Sequence, residues 1–114
     1  MAKHIALIIV LALVSVLLIG CSSTSTTKTT SETGNAINVA NYAFVPNTLT
    51  VKVGTTVTWT NKDSVTHTVD SNTGVFNSGF LLPGKTFSYT FNSIGTFQYH
   101  CAIHPYMTGT IIVQ

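Results

Sequence analysis

The spacing of apolar residues divides the chain into three stretches. Ile5 to Ile19 is an unbroken apolar run in which Ser15 is the only polar side chain. Ser22 to Asn35 (SSTSTTKTTSETGN) has no large apolar side chain and is nearly all Ser and Thr. From Ala36 onward the pattern changes to short segments in which apolar and polar residues alternate. Val57 and Trp59 alternate with Thr56, Thr58 and Thr60, and Phe87, Tyr89 and Phe91 repeat with the same period of two. A period of two puts alternate side chains on opposite faces of a strand, and no segment here sustains a helical period. Strands are therefore expected at 37–40, 48–53, 55–61, 66–70, 86–91, 96–101 and 108–113, with shorter ones near 42–44 and 75–76. Val53-Gly54-Thr55 and Leu82-Pro83-Gly84-Lys85 have the composition of tight turns. Short strands at this spacing predict an all-β fold, an antiparallel Greek-key β-sandwich of seven to eight strands.

The apolar leader is shorter than the roughly 20 residues that usually span a bilayer. It follows Lys3 and ends in small residues, the pattern of a secretory h-region. Leu18-Ile19-Gly20-Cys21 resembles the lipobox of bacterial lipoproteins, which implies lipidation at Cys21 as the first mature residue. The alternative is an uncleaved anchor helix. On either reading the rest of the chain is exported. The expected organisation is a signal peptide at 1–20, a flexible tether at 21–35 and one folded domain at 36–114. The tether would hold that domain at the membrane, facing the periplasm or the cell exterior.

Charge adds little. The whole chain has five lysines, no arginine and three acidic residues, and residues 36 to 114 hold Lys52, Lys62 and Lys85 against Asp63 and Asp70. Nothing resembles a basic face for nucleic acid. Lys62, Asp63 and Asp70 read as solvated loop charges. Trp59, Phe87, Tyr89, Phe91 and Phe97 read as core.

The chemistry is concentrated in Tyr99-His100-Cys101-Ala102-Ile103-His104-Pro105-Tyr106-Met107. An exported chain seldom keeps an unpaired thiol without a use for it. Here Cys101, His104 and Met107 bring thiolate, imidazole and thioether together within seven residues. These donors suit copper in both oxidation states, and one more imidazole would complete a trigonal His₂Cys set with a weak axial Met. After the leader the only histidines are His67, His100 and His104. His100 is adjacent to Cys101 on a strand, so its side chain points to the opposite face. His67, in Asp63-Ser64-Val65-Thr66-His67, is then the expected fourth ligand, and His100 a bystander.

Residues 37 to 114 resemble the cupredoxins, the type 1 copper family of plastocyanin, azurin, pseudoazurin and amicyanin. The resemblance is carried by Phe44-Val45-Pro46, Leu49, Val51, Gly54, Val57, Trp59, Asn61 and His67. It is carried also by the Cys-x-x-His-x-x-Met spacing at 101, 104 and 107, which is similar to the short ligand loop of amicyanin. It implies one copper ion cycling between Cu(I) and Cu(II), bound by His67, Cys101, His104 and Met107. It implies a one-electron carrier that is not an enzyme, acting between a donor and an acceptor protein. Docking is expected near His104, Pro105 and Tyr106, with Leu81, Leu82 and Pro83 as further apolar candidates. A monomer is expected. One position departs from the pattern: Thr68 stands where many members have the Asn that braces the cysteine loop.

The competing reading is an envelope lipoprotein that binds or delivers copper without carrying electrons. A single Met after the leader argues against a Met-rich delivery surface. A metal-free adhesive sandwich does not account for the four-ligand set. An oxidase or nitrite reductase needs histidines for a second copper centre, and a binuclear site needs a second nearby cysteine. No paired carboxylates, Ser-His-Asp arrangement or phosphate-cradling loop supplies a candidate for catalysis.

Overall fold

The computed structural model describes residues 32 to 114. The leader, Cys21 and most of the expected tether lie outside the described residues. Glu32–Asn35, the last four tether residues, form a 3-10 turn leading into the first strand. The strands are β1 (Ala36–Ala40), β2 (Ala43–Val45), β3 (Thr48–Val51), β4 (Thr55–Asn61), β5 (Asp70–Ser71), β6 (Thr86–Phe91), β7 (Gly95–His100) and β8 (Thr108–Val113). They form two four-stranded sheets, ordered β2-β1-β4-β6 and β3-β8-β7-β5. This is the expected β-sandwich with eight strands. Four pairings are antiparallel, whereas β1–β4 and β3–β8 run parallel.

Alternation along β4 decides what fills the core. Val57, Trp59 and Asn61 point inward and are fully buried. The intervening threonines face outward, where Thr56 meets Thr90 and Thr58 meets Ser88 at hydroxyl–hydroxyl distances of 2.6 and 2.8 Å. Trp59 is the centre of an aromatic cluster, with ring centroids 5.5 Å from Tyr99, 5.6 Å from Phe87 and 5.7 Å from Phe76. Burying a ring system of this size removes about 150–250 Å² from water, on the order of 4–6 kcal/mol of gross stabilisation. Tyr99 lies opposite Gly109 in the β7–β8 register. A Cβ at that position would overlap the Tyr99 ring, so only glycine fits beneath it.

One expected strand is replaced by something else. Of residues 66–70 only Asp70 enters a strand, and His67 makes a single bridge to Leu81. His67, Thr68 and Val69 are buried in succession, which a half-buried strand does not allow. Their backbone donors explain why the ladder stops. Thr68 N–H points to Cys101 Sγ at 3.3 Å and Val69 N–H to Ser78 Oγ at 2.7 Å, so side chains take the place of a neighbouring strand. Residues 75–76 likewise form no strand, because Ser71 Oγ accepts from the N–H groups of both Val75 and Phe76.

Candidate metal centre

His67 is held by the loop that follows β4. Asn61, at the end of that strand, donates from its amide to the carbonyls of Val65 and Leu81, each at 2.8 Å, and its own oxygen accepts the Asp63 N–H. These bonds aim Asp63 at the imidazole, with Oδ2 2.8 Å from His67 Nε2. A carboxylate at that distance keeps the proton on Nε2 and leaves the Nδ1 lone pair free to bind a metal. Asp63 is therefore not the solvated charge expected of it. Burial pushes its carboxyl upward, but hydrogen bonds from Tyr42 N–H, His67 and Asn41 N–H outweigh this and hold it below the ordinary carboxylate value.

Cys101 is delivered by β7 and is fully buried. The loop after it closes tightly, with Met107 N–H donating to the His104 carbonyl at 2.9 Å and Cys101 N–H donating to the Met107 carbonyl at 3.1 Å. Thr68 ties this loop to the first histidine segment, since its Oγ1 accepts the Ala102 N–H at 2.7 Å while its N–H reaches the sulfur. The threonine thus braces the loop backbone with its hydroxyl in place of the amide common in the family.

The outcome is a triangle of donor atoms. His67 Nδ1 and His104 Nδ1 are 3.2 Å apart, and they lie 3.7 and 3.8 Å from Cys101 Sγ. A point equidistant from three such corners is about 2.1 Å from each, close to a metal–imidazole bond and slightly short of a metal–thiolate bond. Two imidazoles and a thiolate at this spacing, with a thioether nearby, are the donor set that suits copper. Met107 is 2% exposed and sits at the end of the same loop. His100 does not join the cluster; its Nδ1 is 2.6 Å from Asn72 Oδ1. Among the described residues, His67, Cys101 and His104 are the one group of three or more His, Cys, Asp or Glu side chains close enough to share an ion.

The surroundings contain residues that the sequence did not single out. Tyr42 packs edge-on against both imidazoles, and nothing in the sequence places it there. On the surface, Phe80, Leu82 and Ile103 line an apolar depression with Thr66. Phe80 is 76% exposed, whereas Leu81, expected at such a surface, is buried. The His67–Leu81 bridge turns Leu81 inward, and alternation turns its two neighbours out.

Comparison with known proteins agrees with this geometry. The chain belongs to the cupredoxin-like domain family, whose profile matches residues 8–113. Amicyanin from Paracoccus denitrificans is 35% identical over 83 residues, which cover 68% of this chain and 63% of that relative. Plastocyanin from Scenedesmus fuscus is 33% identical over 84 residues, covering 62% of this chain and 86% of the relative. A solved purple cupredoxin from Nitrosopumilus maritimus superposes with a TM-score of 0.64 at 34% identity, over 69% of this chain and 98% of the other.

Proposed function

We propose that the chain is a type 1 copper protein that carries one electron at a time between redox partners outside the cytoplasm. His67, Cys101, His104 and Met107 are the residues that would hold the copper ion. The observation that carries this reading is the donor triangle, whose 3.2–3.8 Å sides suit a single ion. Copper, when bound, supplies a one-electron Cu(II)/Cu(I) couple.

The protein's own contribution is to hold that geometry constant. Asp63 fixes the tautomer of His67, the Thr68 N–H supports negative charge on the sulfur, and the Thr68 hydroxyl fastens the loop that carries His104. Ligands that do not move between oxidation states add little to the barrier for electron transfer. The fully buried His67 and Cys101 keep water from the centre, whereas His104 is only partly buried, so electrons would pass to a partner at its edge. Phe80, Leu82, Ile103 and Tyr106, all exposed, give a redox partner an apolar surface to dock on near that ligand. On this reading the protein is a carrier and not an enzyme.

The leader supports export, and Cys21 is the proposed lipidation site that tethers the domain to the membrane. A tether raises the effective concentration of the domain for membrane-bound partners. The test is voltammetry of the copper-loaded domain. A reversible one-electron couple together with an intense visible absorption is expected. A redox-silent, colourless complex would instead favour copper handling.

A further inference from the structure

Among the described residues, Asn41 (φ 53°) and Tyr42 (φ 57°) are the ones that combine a side chain with a positive φ. Two such residues in succession, one of them a bulky aromatic, persist only where surrounding contacts hold them. Asp63 provides those contacts. Its Oδ1 accepts the Asn41 N–H at 2.7 Å and its Oδ2 accepts the Tyr42 N–H at 2.9 Å. The same Oδ2 lies 2.8 Å from His67 Nε2. One carboxylate therefore joins the β1–β2 turn to a ligand imidazole. The parallel β1–β4 register, with Val39 opposite Asn61, and a 2.8 Å bond from Lys62 N–H to the Val39 carbonyl bring the two segments side by side.

The left-handed turn decides where the Tyr42 ring lands. It stands at 89° to both imidazoles, with centroids 5.5 Å from His67 and 5.1 Å from His104. Edge-to-face contacts of this kind fix the orientation of both rings. His67 already has the Asp63 carboxylate to orient it. His104 rides on a loop, and its aromatic neighbours are Tyr42, His67 and, more distantly at 6.1 Å, Tyr106.

We propose that Tyr42 is a positioning residue of the metal centre. Clamped by Asp63, its ring holds the His104 imidazole with Nδ1 aimed at Cys101 Sγ and His67 Nδ1. This rests on the copper reading given above. The contact is made by the ring face and edge, so the phenol hydroxyl is dispensable.

The test uses the ¹⁵N-labelled chain and its Tyr42→Phe, Tyr42→Ala and Asp63→Ala variants, first without metal and then loaded with copper. Without metal, imidazole NMR should give one set of His104 signals for the natural chain and Tyr42→Phe. Tyr42→Ala and Asp63→Ala should give multiple or exchange-broadened His104 signals within an otherwise retained amide spectrum. With copper, Tyr42→Ala should release the ion about 2- to 12-fold faster, the loss of one aromatic pair, and Tyr42→Phe at the natural rate. Unchanged His104 signals and release in Tyr42→Ala overturn the proposal. So does equal disturbance by Tyr42→Phe, which keeps the ring. Should Asp63→Ala not fold, the two Tyr42 variants decide the matter alone. A natural chain that takes up no copper would strike the electron-carrier reading, and the metal-free comparison would still decide the role of Tyr42.

Discussion

In the two long antiparallel pairs, β4–β6 and β7–β8, backbone groups find one another rung after rung, six residues against six. Around His67, Cys101 and His104 several backbone donors turn to side chains instead, beside a few backbone bonds such as the His67–Leu81 bridge. Thr68 N–H meets a sulfur, Ala102 N–H a threonine hydroxyl, and Asn41 and Tyr42 N–H a carboxylate. The first kind of region needs only a residue pattern that keeps one face apolar. The second depends on particular atoms at particular positions, so a single substitution there alters the chemistry before it alters the fold.

The contrast is broken most strongly by Cys101→Ser. The sulfur-to-copper charge-transfer absorption should vanish entirely while the far-ultraviolet circular dichroism of the sandwich is kept. Loss of the β signal along with the colour would mean that the site and the fold are not separable. The converse change is Trp59→Ala, which empties the middle of the aromatic cluster. It should cost about 3–5 kcal/mol in denaturant unfolding, yet leave the absorption of the remaining folded protein unchanged. A shifted band would show that the core reaches into the ligand geometry.

Thr68→Val loosens the ligand loop without touching a ligand. It keeps the shape and removes the acceptor of the Ala102 N–H, a part-buried hydrogen bond worth about 0.5–1.5 kcal/mol. Copper release should accelerate as the loop loosens, and unaltered stability and release would deny the hydroxyl its bracing role.

The effects of pH have opposite windows in the two regions. Burial of the Tyr99 phenol, offset only in part by the nearby Trp59 indole N–H, pushes its pKa up to about 12. Neither that hydroxyl nor the indole N–H has a hydrogen-bond partner in good geometry among the described residues. The unfolded chain releases the Tyr99 proton near pH 10 and the folded chain does not, so stability should fall between pH 10 and about 12. Tyr99→Phe should flatten that part of an alkaline unfolding curve. For Asp63 the folded value is lowered, so its stabilisation is present above the ordinary carboxylate value of 3.8 and is lost as pH falls through the folded value. Metal-free protein should therefore show a milder acid transition when Asp63 is replaced by alanine.

How much of the molecule was legible in the sequence follows the same division. The bounds of β4, β6 and β8 are those expected, because Val57/Trp59, Phe87/Tyr89 and Ile111/Val113 alternate and the ladder asks for nothing more. That Cys101 and His104 sit together was legible because one short loop holds them, and that His67 joins them because parity excluded His100. The strand expected at 66–70 does not form, and only Asp70 enters one. The segment's apolar and polar alternation is real, but its backbone donors are claimed by Cys101 and Ser78. Asp63 and Tyr42 stayed hidden for a related reason. Their roles come from the parallel β1–β4 pairing and a left-handed turn, which no local pattern announces.

A site built for electron transfer imposes one ligand geometry on copper in both oxidation states. X-ray absorption at the copper edge, on the oxidised and then the reduced protein, reads that geometry. Two nitrogen neighbours near 2.1 Å and one short sulfur neighbour are expected, with shifts of less than about 0.2 Å on reduction. Loss of a nitrogen or sulfur neighbour on reduction, or a square arrangement of nitrogen and oxygen without sulfur, would contradict it.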